Sequence, residues 1–178
     1  MKTEPATDAR PGVPDESVAP SAPAFEDFYR AEHAGLFGAL YLIAGNKQEA
    51  EELMQEAFLR VWERWDRVCL MDNPAGYLYR TAMNGFRMRR RRLVVAARRA
   101  LRQLPPRDAF DAVEDRDEID RALASLPPRQ RAALVLTDLL GYTSDEAAAI
   151  LGIRATTVRV MASKGRAALR DSLGASHE

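Results

Sequence analysis

The 178 residues, with 47% hydrophobic and 29% charged side chains, are typical of a soluble globular protein of one or two small domains. The formal net charge is zero, and the single cysteine, Cys69, excludes a disulfide framework or a cysteine metal cluster within the chain. No uncharged stretch is long enough to span a bilayer, and the acidic, proline-containing N-terminus does not resemble a signal peptide. We therefore expect a cytoplasmic protein that is not inserted in a membrane.

Residues 1–24 contain several prolines and few large apolar side chains, so they cannot bury enough surface to become ordered. We predict that they form a disordered leader. Beyond this leader every long segment has helical periodicity, and no alternating pattern of useful length predicts a strand. The sequence therefore predicts an all-α fold of two small helical domains joined by a flexible linker.

Three helices are expected in the first domain, residues 25–98. The first is predicted from about Phe25 to Ala44, because Gly45-Asn46 is a suitable C-terminal stop. The second is predicted from about Lys47 to Trp65, where closely repeated apolar residues form one wide buried stripe. Both tryptophans of the chain lie on this stripe, so we expect Trp62 and Trp65 to be core residues.

The third helix is predicted to start at Pro74, which suits a first helical turn, with Asp72 or Asn73 as its cap. Its inward face is expected to be apolar and its outward face polar. The expected inward residues are Leu78, Ala82, Gly85, Phe86 and Leu93. The expected outward residues are Arg80, Asn84, Arg87 and Arg91, with Tyr77 and Met83 beside them.

The zero net charge conceals a separation of charge along the chain. From Tyr77 to Arg107 there are ten arginines and no acidic residue, whereas residues 108–120 hold seven acidic residues and one arginine. Such a basic block indicates a polyanionic partner, because ordinary surface helices mix both signs. A solvated surface helix remains the alternative.

Pro105-Pro106 and the acidic block interrupt the helical pattern, so residues 99–115 are interpreted as the linker. The second domain then occupies residues 116–174, followed by a short tail at 175–178. Four helices are expected in it. They are predicted at about 117–125, from Pro127-Pro128 to before Gly141, from Thr143 to Gly152 and from about Ala155 to Leu173. Thr143 and Glu146 have the spacing of a capping box.

The segment TSDEAAAILGIRATTVRV (143–160) has the spacing of a helix-turn-helix, the arrangement that places its second helix in a DNA major groove. Ala148 supplies the small side chain where two helices cross closely, and Gly152 supplies a turn residue that tolerates positive φ. Val158 supplies the apolar anchor of the second helix. A helical hairpin without a DNA-binding role would show similar spacing.

A helical projection of the last helix strengthens the DNA-binding interpretation. The residues on its buried face are Val158, Met161, Ala162, Gly165 and Leu169. On the exposed face, Arg159 is expected to reach guanine and Val160 a thymine methyl group. Thr156 and Ser163 suit either base type. The flanking cations expected to contact phosphates are Lys164, Arg166 and Arg170.

Two further helix faces in the first domain carry residues that suggest binding surfaces. The second helix carries polar, mostly acidic residues around one leucine, opposite its apolar stripe: Gln48, Glu52, Gln55, Glu56, Leu59 and Glu63. A leucine centred on such a face is weak evidence for a protein contact. On the third helix, cations near aromatic side chains suit single-stranded or opened DNA. We expect these protein-facing and DNA-facing surfaces to lie on opposite sides of one domain.

Three segments, in this order, resemble bacterial extracytoplasmic-function sigma factors, the smallest members of the sigma-70 family. They are AEELMQEAFLRVWERW (50–65), NPAGYLYRTAMNGFRMRRRR (73–92) and LASLPPRQRAALVLTDLLGYTSDEAAAILGIRATTVRV (123–160). The resemblance covers about residues 25–174 and implies a transcription initiation factor with sigma regions 2 and 4. It implies core RNA polymerase, through its β′ clamp and β flap, and promoter DNA as partners. It implies no cofactor, no metal and no catalytic residue.

The resemblance assigns polymerase docking to the second helix, which resembles the surface that binds the coiled coil of the β′ clamp. The implied docking residues are Glu52, Gln55, Glu56, Leu59 and Glu63. The family usually has aspartate at the position of Glu52.

The segment from Trp65 to Pro74 and the basic helix after it resemble the part of the family that captures a flipped −10 base and melts the duplex. The implied −10 residues are Arg67, Asp72, Asn73, Tyr77, Arg80, Asn84, Arg87 and Arg91. Tryptophan is commoner in the family at the position of Tyr77.

The last two helices resemble the −35 reader of the family. The implied −35 residues are Arg154, Thr156, Thr157, Arg159, Val160, Ser163, Lys164 and Arg166. After Thr157-Val158-Arg159 the family usually continues with Ser, Arg, Leu and often His, whereas this chain has Val160 to Ser163. Arg154 stands where a capping serine is common. We therefore expect unusual −35 specificity or weakened groove binding.

Two other classes of function compete with this interpretation. A helix-turn-helix regulator with an unrelated N-terminal sensor or interaction domain would share the second domain, but it would not need a polymerase-docking face beside a basic one. An enzyme is disfavoured, because no glycine-rich phosphate loop, zinc-ligand spacing or catalytic carboxylate pair is present. The separated charges also suggest that the free protein is held inactive, either by acidic residues 108–120 folded over the arginine face or by an anti-sigma factor between the domains.

Overall fold

The computed structural model describes residues 24–100 and 118–174, and both ranges consist of helices joined by short turns. In chain order the helices are α1 (Phe25–Ala44), α2 (Lys47–Trp62), α3 (Trp65–Val68), α4 (Pro74–Ala100), α5 (Glu118–Ser125), α6 (Pro128–Leu134), α7 (Ser144–Leu151) and α8 (Ala155–Gly174). α6 continues into a π-helical turn, Val135–Leu139. The expected all-α fold is confirmed for these residues. Almost all of the predicted leader and linker, and the predicted tail, lie outside them.

α1 and α2 meet at a tight turn that local sequence signals explain. Gly45 ends α1 with a φ of 74°, a left-handed conformation that glycine adopts without a Cβ clash, and its N–H donates to the Tyr41 carbonyl. Asn46 then caps α2, because its side-chain oxygen accepts a hydrogen bond from the Glu49 N–H at 2.9 Å. The predicted stop at Gly45-Asn46 is confirmed.

α2 ends at Trp62 rather than at the predicted Trp65, and the expectation that Trp62 is a core residue is wrong. Arg64, with φ −129° and ψ 19°, separates α2 from the short α3. Trp65 packs against Phe28 as expected, but Trp62 is 60% exposed. Successive residues are about 100° apart around a helix, so Trp62 lies at the edge of the stripe centred on fully buried Val61.

α4 packs against α1 and α2, and its residues Leu78, Ala82 and Phe86 are buried as predicted. Two other expectations for this helix are wrong. Leu93, expected to face inward, is 63% exposed, and the side chains from residue 90 to 96 are all exposed with it. Met83, expected beside the outward face, is only 3% exposed.

The two halves of the molecule share one continuous core, which the sequence does not predict. α1 contacts α5, α6 and the π-helical turn, while α4 contacts α7. Leu36 and Leu40 of α1 belong to the same buried cluster as Leu136 and Val158 of the C-terminal half. Met83 is buried for the same reason, since it lies on the side of α4 that faces that half.

α7, the following turn and α8 form the predicted helix-turn-helix. Ala148 is buried on α7, and Gly152 caps that helix with a φ of 61°. Val158 and Ala162 of α8 are buried in the core, as the helical projection predicts. The three positions singled out in the sequence therefore have the expected surroundings. No helix in the two described ranges is long and apolar enough to cross a membrane.

Thr143→Ala is expected to lower the free energy of unfolding by about 1 kcal/mol, because it removes the capping box of α7. The Thr143 hydroxyl accepts from the Glu146 N–H at 3.3 Å, and the Glu146 carboxylate accepts from the Thr143 N–H at 2.8 Å. Chemical denaturation followed by circular dichroism measures the loss. Ser163→Ala, at an exposed position within α8, is the control and should change little. Equal losses in both variants would contradict the role of the cap.

Candidate functional site

The residues predicted for polymerase docking form one exposed stripe on α2. All five are exposed: Glu52, Gln55, Glu56, Leu59 and Glu63. Leu59, at the centre, is 54% exposed, and Trp62 lies one turn further along the same side. We call these five residues and Trp62 the docking stripe. A large exposed aromatic side chain beside an exposed leucine is typical of the centre of a protein–protein contact.

Arg89 of α4 holds two carboxylates of the docking stripe in place. Its guanidinium lies 2.6 Å from a Glu52 carboxylate oxygen and 2.5 Å from a Glu56 carboxylate oxygen. Gln48 also donates to Glu52 at 3.2 Å. The hydrogen bond from Arg89, followed by that from Gln48, holds the pKa of Glu52 below its ordinary value. Both carboxylates are thereby fixed beside Leu59 before any partner binds.

Arg89→Gln is expected to raise the pKa of Glu52 towards its ordinary value, because the strongest hydrogen bond to the carboxylate is lost. A carboxyl group with a lowered folded-state pKa stabilises the fold above its unfolded-state pKa. That stabilisation disappears as the pH falls through the folded-state pKa, so the wild type should lose this contribution only in acid. A carboxyl NMR titration of Glu52 measures the shift. Gln48→Ala is the control, with a smaller expected rise, and an unchanged pKa in Arg89→Gln would contradict the assignment.

An open cleft of about 360 Å³ lies between the C-terminal end of α2 and the outer face of α4. The residues that line it are Arg60, Glu63, Arg64, Tyr77, Arg80, Thr81 and Asn84, and we call this region the basic cleft. Arg64 donates a hydrogen bond from Nη1 to the Tyr77 hydroxyl at 3.2 Å, which joins the two walls. Arginines on both walls and one aromatic ring suit an unpaired DNA strand, which presents phosphates and unstacked bases.

The docking stripe and the basic cleft adjoin each other, so the expectation that they lie on opposite sides is wrong. Glu63 belongs to both surfaces. Arg89, from the arginine-rich helix, reaches across to Glu52 and Glu56. The physical reason is that α2 contributes one face to the stripe and the neighbouring face of its last turns to the cleft.

The basic cleft brings together three of the eight residues predicted for −10 contacts, namely Tyr77, Arg80 and Asn84. Arg67 and Asp72 are exposed but are not among the residues that line it. Asn73 has a local structural role, because its Oδ1 accepts a hydrogen bond from the Gly76 N–H at 2.6 Å in the first turn of α4. The loop before α4 therefore contributes a cap as well as exposed polar side chains.

Arg87 and Arg91 follow Arg80 along α4, and they differ in their hydrogen bonding. Arg91 is exposed. Arg87 donates hydrogen bonds to the Asn84 side chain and to the carbonyl of Leu151, the last residue of α7. One predicted DNA ligand is therefore bound to the C-terminal half of the molecule.

The residues predicted for −35 contacts lie at and beyond the N-terminus of α8. Thr157 is half-buried, and the exposed members are Arg154, Thr156, Arg159, Val160, Ser163, Lys164 and Arg166. Arg159 lies 3.9 Å from Asp145, and Arg166 lies 3.0 Å from Asp138. Exposed ion pairs of this kind are weak, so DNA phosphates can replace these acidic partners.

Trp62, Arg60, Arg64 and Arg89 are the main residues of these surfaces that the sequence interpretation missed. Arg60 and Arg64 are four residues apart, which places both on one side of the predicted second helix, whose polar face is otherwise mostly acidic. That spacing is a signal that could have predicted a pair of neighbouring arginines at the C-terminal end of α2. The role of Arg89 has no comparable signal, because it lies within a run of four arginines at 89–92.

Two family models match the chain. The model described as Sigma-70 region 2 matches residues 28–94, and the model described as Sigma-70, region 4 matches residues 116–169. The first match contains the docking stripe and the basic cleft, and the second contains the helix-turn-helix.

Two relatives illustrate the sequence similarity. The chain is 32% identical over 169 residues to the ECF RNA polymerase sigma factor SigE of Mycolicibacterium smegmatis, a match that covers 85% of this chain and 62% of that protein. It is 30% identical over 157 residues to the RNA polymerase sigma-E factor of Streptomyces avermitilis, with 84% of each chain covered. The chain thus spans less than two thirds of the length of the first of these relatives.

Solved structures share the fold. The sigma factor RpoE, in complex with the anti-sigma factor NepR from Bartonella quintana, matches with a TM-score of 0.71 at 21% identity, covering 84% of this chain and 96% of that one. CnrH, in complex with the cytosolic domain of CnrY, matches with a TM-score of 0.57 at 21% identity, covering 85% of this chain and 88% of that one. At these identities the likeness concerns the fold alone.

Proposed function

Because the chain belongs to the sigma-70 family, as an extracytoplasmic-function sigma factor of transcription initiation, we propose that it uses three surfaces to direct polymerase to promoters. The docking stripe binds core RNA polymerase, the basic cleft holds the opened −10 strand, and α8 reads the −35 duplex. The observation that carries this proposal is that the docking stripe, which combines acidic and apolar side chains, lies directly beside the basic cleft on the same helical unit.

The docking stripe has the chemistry of a surface that binds a basic partner with apolar pockets. Leu59 and Trp62 offer apolar area that is exposed in the free chain, so its burial favours association. Glu52 and Glu56, already oriented by Arg89, add charge complementarity around this apolar centre. The β′ clamp of core polymerase is the proposed partner of this stripe, and the β flap is the proposed partner of the C-terminal half.

The basic cleft would hold one strand after the duplex opens, without any covalent chemistry. Extruding a base costs a few kcal/mol of unstacking, and phosphate contacts with capture of the base compensate for that cost. Arg60, Arg64 and Arg80 would contact phosphates, and the ring of Tyr77 offers a stacking surface. The exposed Arg67 and Asp72 would contact the same strand from the loop before α4.

The outer face of α8 would lie in the major groove of the −35 element. Arg159 and Val160 are exposed near its N-terminal end, where recognition helices contact base edges. Lys164 and Arg166 are one to two turns further along and would bind phosphates. Val160 to Ser163 depart from the usual residues of the family, so the preferred −35 sequence is expected to be unusual.

Two further parts of the proposal concern regulation and location. In the matched structures, the sigma factor RpoE is in complex with the anti-sigma factor NepR, and CnrH is in complex with the cytosolic domain of CnrY. An anti-sigma factor is therefore proposed as a partner of this chain too. The cytoplasm is the proposed location, because core polymerase and promoter DNA are found there.

Reconstituted transcription tests this function. Core RNA polymerase without its own sigma subunit is mixed with a library of promoter DNA, with and without the purified chain. The expected result is a set of transcripts that appear only with the chain and share elements near −10 and −35. A helix-turn-helix regulator, which the region 2 match does not favour, would yield no transcript from core polymerase alone. That result would refute the proposed function.

A further inference from the structure

An open groove of about 480 Å³ runs along the outer side of the first turns of α1. Its lining combines three rings with two charged side chains: Phe25, Glu26, Tyr29, Arg30 and His33. We call these five residues the aromatic groove. Tyr29, in the middle, is 40% exposed, and its ring stacks on that of His33 with centroids 5.3 Å apart. The docking stripe, the basic cleft and α8 use none of these residues, so this surface has no role in the proposed function.

The rings of the aromatic groove are supported from below by aromatic residues of α2 and α3. Tyr29 packs on Phe58 with centroids 4.6 Å apart, and Phe58 is only 4% exposed. Phe25 packs edge-on against Trp65 at 5.4 Å. These contacts fix the rings in the free chain, so a ligand would bind them without a large cost of ordering side chains. A row of fixed rings is the kind of surface on which proline-rich segments dock in the polyproline II conformation.

The predicted leader contains a segment with the required spacing, PGVP (11–14). Proline fixes its own φ at about −65° and disfavours the helical region for the residue before it, so two prolines at this spacing favour polyproline II. This conformation has about three residues per turn, so Pro11 and Pro14 lie on the same side of it, roughly 9 Å apart. Phe25 and His33 are roughly 12 Å apart along α1. The segment therefore matches the groove in length.

The connection between this segment and α1 is long enough for a reversal. Residues 15–24 separate the segment from Phe25, and they span up to roughly 33 Å. A second proline pair, Pro20 and Pro23, has only Ala24 between it and α1. Ala24 is extended, with φ −65° and ψ 140°, so it directs the preceding chain away from the helix. The second pair therefore has no residues left for a reversal and does not compete for the groove.

Charged residues beside the segment favour one direction of docking. Arg10 precedes the segment and Asp15 follows it. When the segment runs in the same direction as α1, Arg10 would face Glu26. Asp15 would then face Arg30. Arg30 is paired with Asp27 of its own helix at 2.7 Å, but these side chains are 73% and 70% exposed. So exposed an ion pair is weak, and Arg30 can exchange its partner.

We propose that residues 11–14 dock in the aromatic groove of their own chain in the polyproline II conformation. A short flexible tether gives an effective concentration on the order of millimolar, so a contact too weak to hold a separate peptide still forms within one chain. The docking orders a short stretch of a leader that has too few large apolar side chains for a core of its own. This inference goes beyond the proposed function and does not depend on it.

Two leader variants of the full chain test the docking. Pro11→Ala with Pro14→Ala removes the two rings that fix the segment, and Pro20→Ala with Pro23→Ala is the matched control. Each variant loses one pair of prolines at the same spacing. Both pairs precede α1, so circular dichroism is expected to be the same for the wild type and both variants.

A nitroxide spin label reports where the segment lies. It is attached to Ala9→Cys in a Cys69→Ser background, because Cys69 is the single native cysteine. The measured quantity is the paramagnetic broadening of the amide NMR lines of Tyr29 and Arg30, which the label causes only when it is close to the groove.

Strong broadening is expected in the wild type and in the control. It should be at least about fivefold weaker in Pro11→Ala with Pro14→Ala, because the docked fraction falls when both anchoring rings are lost. Equal broadening in all three proteins would overturn the inference, since the tether alone would then explain the proximity. Absence of broadening in the wild type would overturn it too.

A mixing experiment separates docking within one chain from docking between two copies. Isotope-labelled chain without the nitroxide is mixed with nitroxide-labelled chain that carries no isotope. The amide lines of Tyr29 and Arg30 are expected to stay sharp. Broadening as strong as that within one chain would assign the groove to the leader of a second copy and overturn the inference as stated.

Discussion

Replacing Leu59 and Trp62 together by alanine is expected to weaken binding of the chain to core RNA polymerase about 100-fold. Both side chains are more than half exposed in the free chain, so their removal leaves the core intact. The side chains that dominate a protein interface each contribute more than about 1 kcal/mol, and we expect about 1.4 kcal/mol from each of these two. Since about 1.4 kcal/mol corresponds to a factor of ten, the combined loss is about 100-fold. Fluorescence titration of labelled chain with core polymerase measures the effect.

The control for this variant is Leu93→Ala with Val94→Ala. Both are exposed apolar residues, and both lie on the part of α4 that stands clear of the core. Binding to polymerase should be nearly unchanged in the control, and both double variants should unfold at denaturant concentrations close to those of the wild type. If the control loses as much affinity as the docking variant, general apolar surface explains binding and the assignment of the stripe is wrong.

Replacing Arg64 and Arg80 together by alanine is expected to reduce −10 strand opening and single-stranded DNA affinity by roughly 10- to 100-fold at low salt. The two guanidinium groups lie on opposite walls of the basic cleft. Each phosphate contact to a single strand releases about 0.7 counterion, so the slope of log affinity against log salt should fall by about 1.4. Affinity for core polymerase should change far less, because neither residue belongs to the docking stripe.

Arg30→Ala with Arg121→Ala removes the same charge from other exposed positions and is the matched control. Net charge alone would weaken DNA binding in the control and in the cleft variant alike. Specific contacts in the cleft would change the salt slope only in the cleft variant. An equal slope in both would show that the strand does not lie between α2 and α4.

The ends of the helices could be predicted from the sequence because their causes are local. Gly45 adopts a left-handed conformation that other residues avoid, and Asn46 accepts the hydrogen bond that starts the next helix. Thr143 and Glu146 pair within four residues, and Gly152 ends the helix that they start. None of these interactions needs information from a distant part of the chain.

The exposure of particular side chains could not be predicted, because it depends on distant segments. Trp62 lies at the margin of an apolar stripe, where the helices packed beside α2 decide whether a side chain is covered. Met83 lies beside the outward face of α4 in a helical projection, yet it is buried, and α4 is the helix on which α7 of the C-terminal half packs. The same packing brings Arg87 to the Leu151 carbonyl, across 64 positions of sequence.

The candidate site was predicted in part. The polarity of α2, α4 and α8 indicated which faces stay exposed, whereas the roles of these faces came from the resemblance to a family. The cleft itself depends on how α2 and α4 pack. The sequence alone therefore did not show that Arg60 and Arg64 line it. Glu63, expected in the docking surface, also lines that cleft.

Strand opening by reconstituted polymerase tests the assignment of the two neighbouring surfaces in one assay. Permanganate reactivity of −10 thymines is measured with core polymerase, promoter DNA and increasing amounts of chain. Opening should require the chain, return in Leu59→Ala with Trp62→Ala when that variant is in excess, and stay low in Arg64→Ala with Arg80→Ala at any amount. No opening with the wild-type chain, or full recovery of both variants at excess, would contradict a polymerase-binding stripe beside a strand-binding cleft.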